Sequence, residues 1–153
     1  MIVVLTVLLT FVAMEAVAWW MHKYIMHGLG WIFHKDHHVR KNHDSFLEDN
    51  DVFFLFFSIL AIIDFTFWSF SKDPISLGIG IGIVLYGLAY FILHDLFIHQ
   101  RIKIWRNTKN SYLLAIRRAH KVHHKHIEKE EGECFGMLWV PIKYFKEASK
   151  SSN

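Results

Sequence analysis

Ten histidines fall into four short motifs. His22 and His27 form H-x4-H; His34, His37 and His38 form H-x2-H-H; His94 and His99 form a second H-x4-H; His120, His123 and His124 form a second H-x2-H-H. The order of the first two motifs repeats in the last two. Imidazole is a ligand for Fe, Zn, Cu and Ni. A structural zinc site closes with about four ligands, so ten are too many for one ion. Two octahedral ions offer about twelve positions, leaving a few for a bridging oxygen species and O2. The Glu-x-x-His signature of ferritin-like di-iron bundles is absent, and carboxylates near the motifs are few. The pattern predicts a dimetal site that is all histidine or nearly so. His43 and His126 lie outside the motifs. His126 is about 200° around a helix from His124 and is expected to face water.

Local spacing constrains how these rings meet. Histidines at i, i+3 and i+4 share one helical face, so His120, His123 and His124 converge. They continue a stripe of Leu113, Ile116 and Ile127 on an amphipathic helix predicted over Asn110 to Glu130, with Asn110 or Ser111 as N-cap. His94 and His99 are five apart, about 140° around an α-helix. Either the helix ends between them, or it passes two metals and gives one ligand to each. The same holds for His22 and His27, with Gly28 and Gly30 available to bend the chain.

The elements that deliver the motifs are three apolar runs, Ile2 to Met21, Val52 to Ser71 and Ile75 to Leu93. Each is about 20 residues, the length that crosses a hydrocarbon core of ~30 Å as helix. The 153-residue chain is 53% hydrophobic, with 14 Phe and 6 Trp, and its mean hydropathy is +0.23. The expected fold is therefore all-α: an integral membrane helical bundle with three clear spans, a fourth left open, and a histidine-rich cytoplasmic cap on one domain covering residues 1–153. Trp19, Trp20 and Lys23 close the first run as an interface anchor, and no small-residue cleavage site follows, so the run reads as an uncleaved span. The turn Ser71-Lys72-Asp73-Pro74 makes the second and third runs an antiparallel hairpin. The hairpin returns the chain to the face it left, so all ten motif histidines reach one side of the membrane. Of 17 Lys and Arg, only Lys72 lies on the other side. The positive-inside bias then places the histidines in the cytoplasm.

Other residues are weighed against this frame. Glu15 and Asp64 are costly in a span, at roughly 2.5–3.5 kcal/mol each near its centre. Glu15 lies two turns before His22 and reads equally as a ligand-supporting or path-lining group or as a protonated packing residue; Asp64 lies deeper and its residue type and position assign it no particular role. Asp95 beside His94 is a candidate hydrogen-bond acceptor for that ring. Cys134 stands alone among apolar neighbours and reads as packed and inert. Gly78, Gly80 and Gly82 lie mid-span, which points to close helix packing rather than nucleotide binding. Phe53, Phe54, Phe56, Phe57, Phe65, Phe67 and Trp68 offer walls for an apolar path, with lipid-facing packing expected for most. Phe135 to Phe145 is apolar but too short to span, and the tail from Lys146 is expected to fray. Nothing points to nucleic acid.

The four motifs in this order resemble the membrane-bound fatty-acid hydroxylase and sterol desaturase superfamily, and most closely its bacterial carotenoid ring hydroxylases. Met14-Glu15 with His22-Lys23-Tyr24-Ile25-Met26-His27-Gly28, Asn50-Asp51, Tyr86-Gly87, His94-Asp95, His99-Gln100-Arg101 and Ala119-His120 carry the resemblance. It implies an O2-dependent monooxygenase with two non-haem iron ions, the ten motif histidines as ligands, and electrons from ferredoxin with NAD(P)H. It implies hydroxylation of β-carotene at C3 to zeaxanthin through β-cryptoxanthin, in the bacterial inner membrane, with the lipid bilayer and an apolar carotenoid as partners. A carotenoid ketolase or a fatty-acid or sterol hydroxylase or desaturase of the same superfamily remains an alternative. So does a histidine-rich metal transporter or sensor, although a transporter is expected to place ligands within its spans.

Overall fold

The computed structural model describes residues 1–39, 47–103, 105–127 and 132–151. His43 lies outside these, as do residues 128–130 of the helix expected to run to Glu130. The described elements are helices α1 (Ile2–Trp20), α2 (Trp31–His38), α3 (Asp51–Ser71), α4 (Pro74–Tyr90), α5 (Ser111–His123) and α6 (Ile142–Ser151). Two wide π-helical segments extend the first and third runs: Met21–Leu29 continues α1, and Phe91–Ile98 continues α4.

Three helical rods are long and apolar enough to cross a membrane: Ile2–Leu29, Asp51–Ser71 and Pro74–Ile98. Among the described residues no fourth qualifies; α5 and α6 have 13 and 10 residues. α4 is the central rod, packing along both α1 and α3. A third of its apolar window is buried, against 6% for each of the other two, whose outer faces (Leu5, Leu8, Leu9, Ile59, Ile62, Ile63) are exposed as lipid-facing surfaces must be. Glycines permit the close approach. A Cβ at Gly78 would lie 2.6 Å from the Thr6 Cβ, and one at Gly82 would lie 2.5 Å from the Thr10 Cβ, while Gly80 faces Phe65 of α3. The α3–α4 turn works as its residues suggest. Lys72 takes a left-handed conformation (φ 56°), and the Asp73 carboxylate caps α4 by accepting from the Ile75 and Ser76 amides.

The cap has its own small core, in which Ala115, Ile116 and Ala119 of α5 meet Phe97, Val140, Tyr144 and Ala148. The tail expected to fray is therefore helical as far as Ser151, because Tyr144 and Ala148 give α6 an apolar stripe that α5 can bury. α5 begins where expected, with Asn110 Oδ1 accepting from the Leu113 amide at 3.0 Å. It stops at His123 rather than Glu130. Residues 132–141 form no helix, and their path across the cap begins from that early stop.

Candidate metal centre

Each H-x4-H motif sits in a π segment. There the backbone bonds from i+5 to i: the Gly30 amide donates to the Ile25 carbonyl at 2.7 Å, and the His99 amide to the His94 carbonyl at 2.8 Å. Residues five apart then lie one turn above each other. For His22 and His27 this corrects both readings of the five-residue spacing: the helix neither ends between the rings nor splits them between metals, but widens so that both serve one group. For His94 and His99 the helical segment does end between the rings, at Ile98 with His99 as its C-cap, and both rings still serve one group. The chain then kinks at Gly28 (φ −123°, ψ −119°). Gly30 brings α2 close, since a Cβ there would meet Phe53 at 2.9 Å.

The histidines gather into two groups. In the first, the ligand-capable nitrogens of His22, His27, His34, His38 and His123 all lie within 4.8 Å of one another; in the second, so do those of His37, His94, His99 and His120. His124 joins the second group, its Nε2 2.8 Å from that of His120. All ten motif histidines are thus brought together, and His126 is exposed as expected. The H-x2-H-H motifs divide by a rule. The i and i+4 rings, His34 with His38 and His120 with His124, serve their own half. The i+3 rings cross over, His37 to the second group and His123 to the first. The halves also touch directly, the His38 and His124 rings stacking at 4.2 Å.

The outer nitrogens decide what the inner ones can do. In the first group the Nδ1–H of His22 donates to the Phe135 carbonyl at 2.9 Å, that of His27 to the Ile127 carbonyl at 2.7 Å, that of His123 to the Glu133 carbonyl at 3.1 Å, and that of His34 to Asn50 Oδ1 at 2.7 Å. A neutral imidazole that donates through Nδ1 presents a bare lone pair at Nε2. Yet His27 Nε2 faces His123 Nε2 at 3.2 Å, and His22 Nε2 faces His34 Nε2 at 3.0 Å. Two lone pairs at that distance repel unless a cation lies between them. In the second group, His37 Nε2 is buried without a hydrogen-bond partner among the described residues. The donor set therefore fits metal ions. Burial, then neighbouring histidines, holds His37 and His120 well below the usual imidazole range, and burial pushes His34 down to about 3 and His123 to about 2. These rings are neutral, which is the form that binds metals.

The second group is backed by carboxylates. His37 Nδ1 donates to Glu48 Oε2 at 3.0 Å, and His94 Nδ1 to Asp95 Oδ1 at 2.7 Å. Arg101 holds this layer: its Nη1 and Nη2 meet both oxygens of Asp51 at 3.1 and 2.7 Å, and its Nη2 lies 3.2 Å from Glu48. Burial pushes the Glu48 carboxyl up, and the Arg101 guanidinium opposes that. Asp95 has the acceptor role its position suggests. Sequence reasoning missed the roles of Glu48, Asn50, Asp51 and Arg101. Three of these lie in the stretches Asn50-Asp51 and His99-Gln100-Arg101, so the signal was present without a role attached to it.

Glu15 supports the histidines indirectly, through main-chain amides. Its Oε1 accepts from three consecutive amides, Met137, Leu138 and Trp139, at 2.8–3.0 Å, and its Oε2 accepts from the Tyr86 hydroxyl at 2.7 Å. The carboxylate pins the 133–140 strap whose carbonyls orient His22 and His123. Gly136 leaves room for the carboxylate, since a Cβ would sit 2.7 Å from Glu15 Oε1. Cys134 is packed, its thiol pushed up to about 11 by burial.

Two hollows reach the histidines. An apolar cavity between α1, α3 and α4 holds about 1170 Å³ of empty space counted with its open mouth; Phe53, Phe54 and Phe57 are among its walls, and His22, His94 and His120 line it. Of the other path candidates, Phe65 packs on Gly80 and Phe56 and Phe67 are exposed. The second hollow is lined by rings of the second group, by His38 of the first, and by Lys121 and Lys125.

Residues 7–143 match the fatty acid hydroxylase family. The chain is 38% identical over 138 residues to a beta-carotene hydroxylase of Paracoccus sp. (strain PC1), covering 90% of this chain and 83% of that one. It is 37% identical over 137 residues to the beta-carotene hydroxylase of Pantoea ananas, covering 90% and 77%. It is 32% identical over 133 residues to the chloroplastic beta-carotene 3-hydroxylase 2 of Arabidopsis thaliana, covering 85% and 43%. No solved structure matches the chain.

Proposed function

The chain belongs to the fatty acid hydroxylase family, and we propose that it is a beta-carotene hydroxylase that acts on carotenoid β-rings at C3. The observation that carries this reading is the pairing of opposed lone-pair nitrogens, His27 with His123 and His22 with His34, beside an apolar cavity that His22 itself lines. The first histidine group would hold one iron ion and the second group the other. When bound, the ions would supply O2 activation, with one oxygen atom entering the ring C–H as hydroxyl and the other leaving as water, using two electrons from an external donor.

The protein's own part is positioning and exclusion. Phe53, Phe54 and Phe57 with Met14, Ala61 and Ile83 form apolar walls that would take a ring and leave the polyene in lipid. The outer hydrogen bonds fix each imidazole so that Nε2 points inward. Lys121 and Lys125 flank the second hollow and suit an acidic electron donor such as ferredoxin. The distribution of basic residues supports a cytoplasmic cap, and the bacterial relatives support the inner membrane of a bacterium.

The test is expression in bacteria that accumulate β-carotene, with pigment analysis. Mono-hydroxylated and then di-hydroxylated pigment is expected. Unchanged pigment, with iron loaded and reductant supplied, overturns the substrate; a keto product overturns the regiochemistry.

A further inference from the structure

The two histidine groups differ in what stands behind them. In the first, the four outer N–H groups whose partners are described all donate to uncharged oxygens: three backbone carbonyls and the Asn50 amide. In the second, both described outer N–H groups donate to carboxylates, Glu48 and Asp95. A carboxylate draws the proton from the ring and makes the inner nitrogen a stronger donor, whereas a carbonyl does so weakly. Arg101 does not cancel this charge. One guanidinium meets three carboxylates, Asp51, Glu48 and Asp95, so the layer stays anionic while Arg101 fixes its geometry. The side chains of His37, His94 and Arg101 are 1%, 3% and 7% exposed, and those of Asp95, Glu48 and Asp51 are 9%, 17% and 23% exposed. Water therefore screens the contrast only in part.

Resting on the metal reading above, we propose that the two metal positions are electronically unlike: the carboxylate-backed second group is the electron-rich position, and an ion there gives up its electron first. Glu48 and Asp95 are then positioning residues that act through His37 and His94, and Asn50 is their uncharged counterpart in the first group. Substitution of these three residues should move the two positions separately.

The experiment loads the purified full-length chain with iron-57 and counts the metal. Mössbauer spectra are then followed as electrons are withdrawn stepwise. Two ferrous signals of equal area are expected, one of which converts before the other. Glu48→Gln keeps an acceptor oxygen but removes the charge; it should shift only the signal that converts first and raise only the first midpoint potential. Asn50→Asp supplies a carboxylate behind His34; it should shift only the other signal and bring the two midpoints together. Asn50→Asp serves as the test if Glu48→Gln does not fold. Two irons with indistinguishable signals, or a Glu48→Gln change that moves both signals equally, overturns the inequivalence. Fewer than two irons per chain overturns the metal reading, and this inference with it.

Discussion

His22 and His27 take their outer hydrogen bonds from Phe135 and Ile127, 113 and 100 residues further along the chain. His94 uses its neighbour Asp95, and His37 uses Glu48, 11 residues away. The first group is thus held in part, through His22 and His123, by a strap that returns from the far end of the chain and is tied down by Glu15. The second is held by nearby carboxylates and braced by Arg101. The two halves share a motif order and a crossing rule, yet one depends on chain closure and the other on a local charge network. A common ligand pattern does not require a common means of holding it.

The largest way to break this comparison is to remove a crossing ring. His123→Ala, which deletes a first-group nitrogen supplied by the second half, should abolish iron retention in that group and pigment conversion, measured by metal analysis and chromatography. Retained activity removes His123 from the ligand set. Next is Arg101→Gln, which leaves Asp51, Glu48 and Asp95 facing one another. Breaking a buried ion pair costs about 3–5 kcal/mol, and denaturation in detergent should report a loss of that order. Glu15→Ala frees three amides and loosens the strap. Loss of a group that orients a ligand weakens metal binding about 10–100-fold, so competition with a chelator should show that loss in the first group and spare the second. Gly82→Ala pushes a methyl against Thr10 and should cost about 1–3 kcal/mol of stability without changing the iron count. The smallest effect is expected from Arg118→Ala. That residue's ion pair with Glu147 is about half exposed on both sides, and removing it should cost less than about 1 kcal/mol.

Much of this arrangement is legible in the residues. The three apolar runs, the Lys72-Asp73-Pro74 turn and the ten motif histidines carry signals in side-chain type and period. The widening of the helix at His22–His27 and His94–His99 carries none that a 3.6-residue repeat can read. The five-residue interval is incompatible with one face of an α-helix, and only backbone geometry resolves the conflict. Glu15 stands out as costly in a span, but its partners beyond Tyr86 are main-chain amides, which look alike at every position. Asn50 and Glu48 precede a span by a few residues and became acceptors only once α2 folded back beside them.

The sequence by itself determined which residues are brought to one face of the membrane, because hydropathy and motif spacing are local properties that survive any later packing. Only the tertiary structure decided how those residues are shared between two groups, and which nitrogen of each ring points inward. That choice depends on where the other nitrogen finds an oxygen. For His22 and His123 that oxygen is a backbone carbonyl of the closing strap, and for His27 it is the Ile127 carbonyl just past α5. Every residue has one, so no residue type announces it.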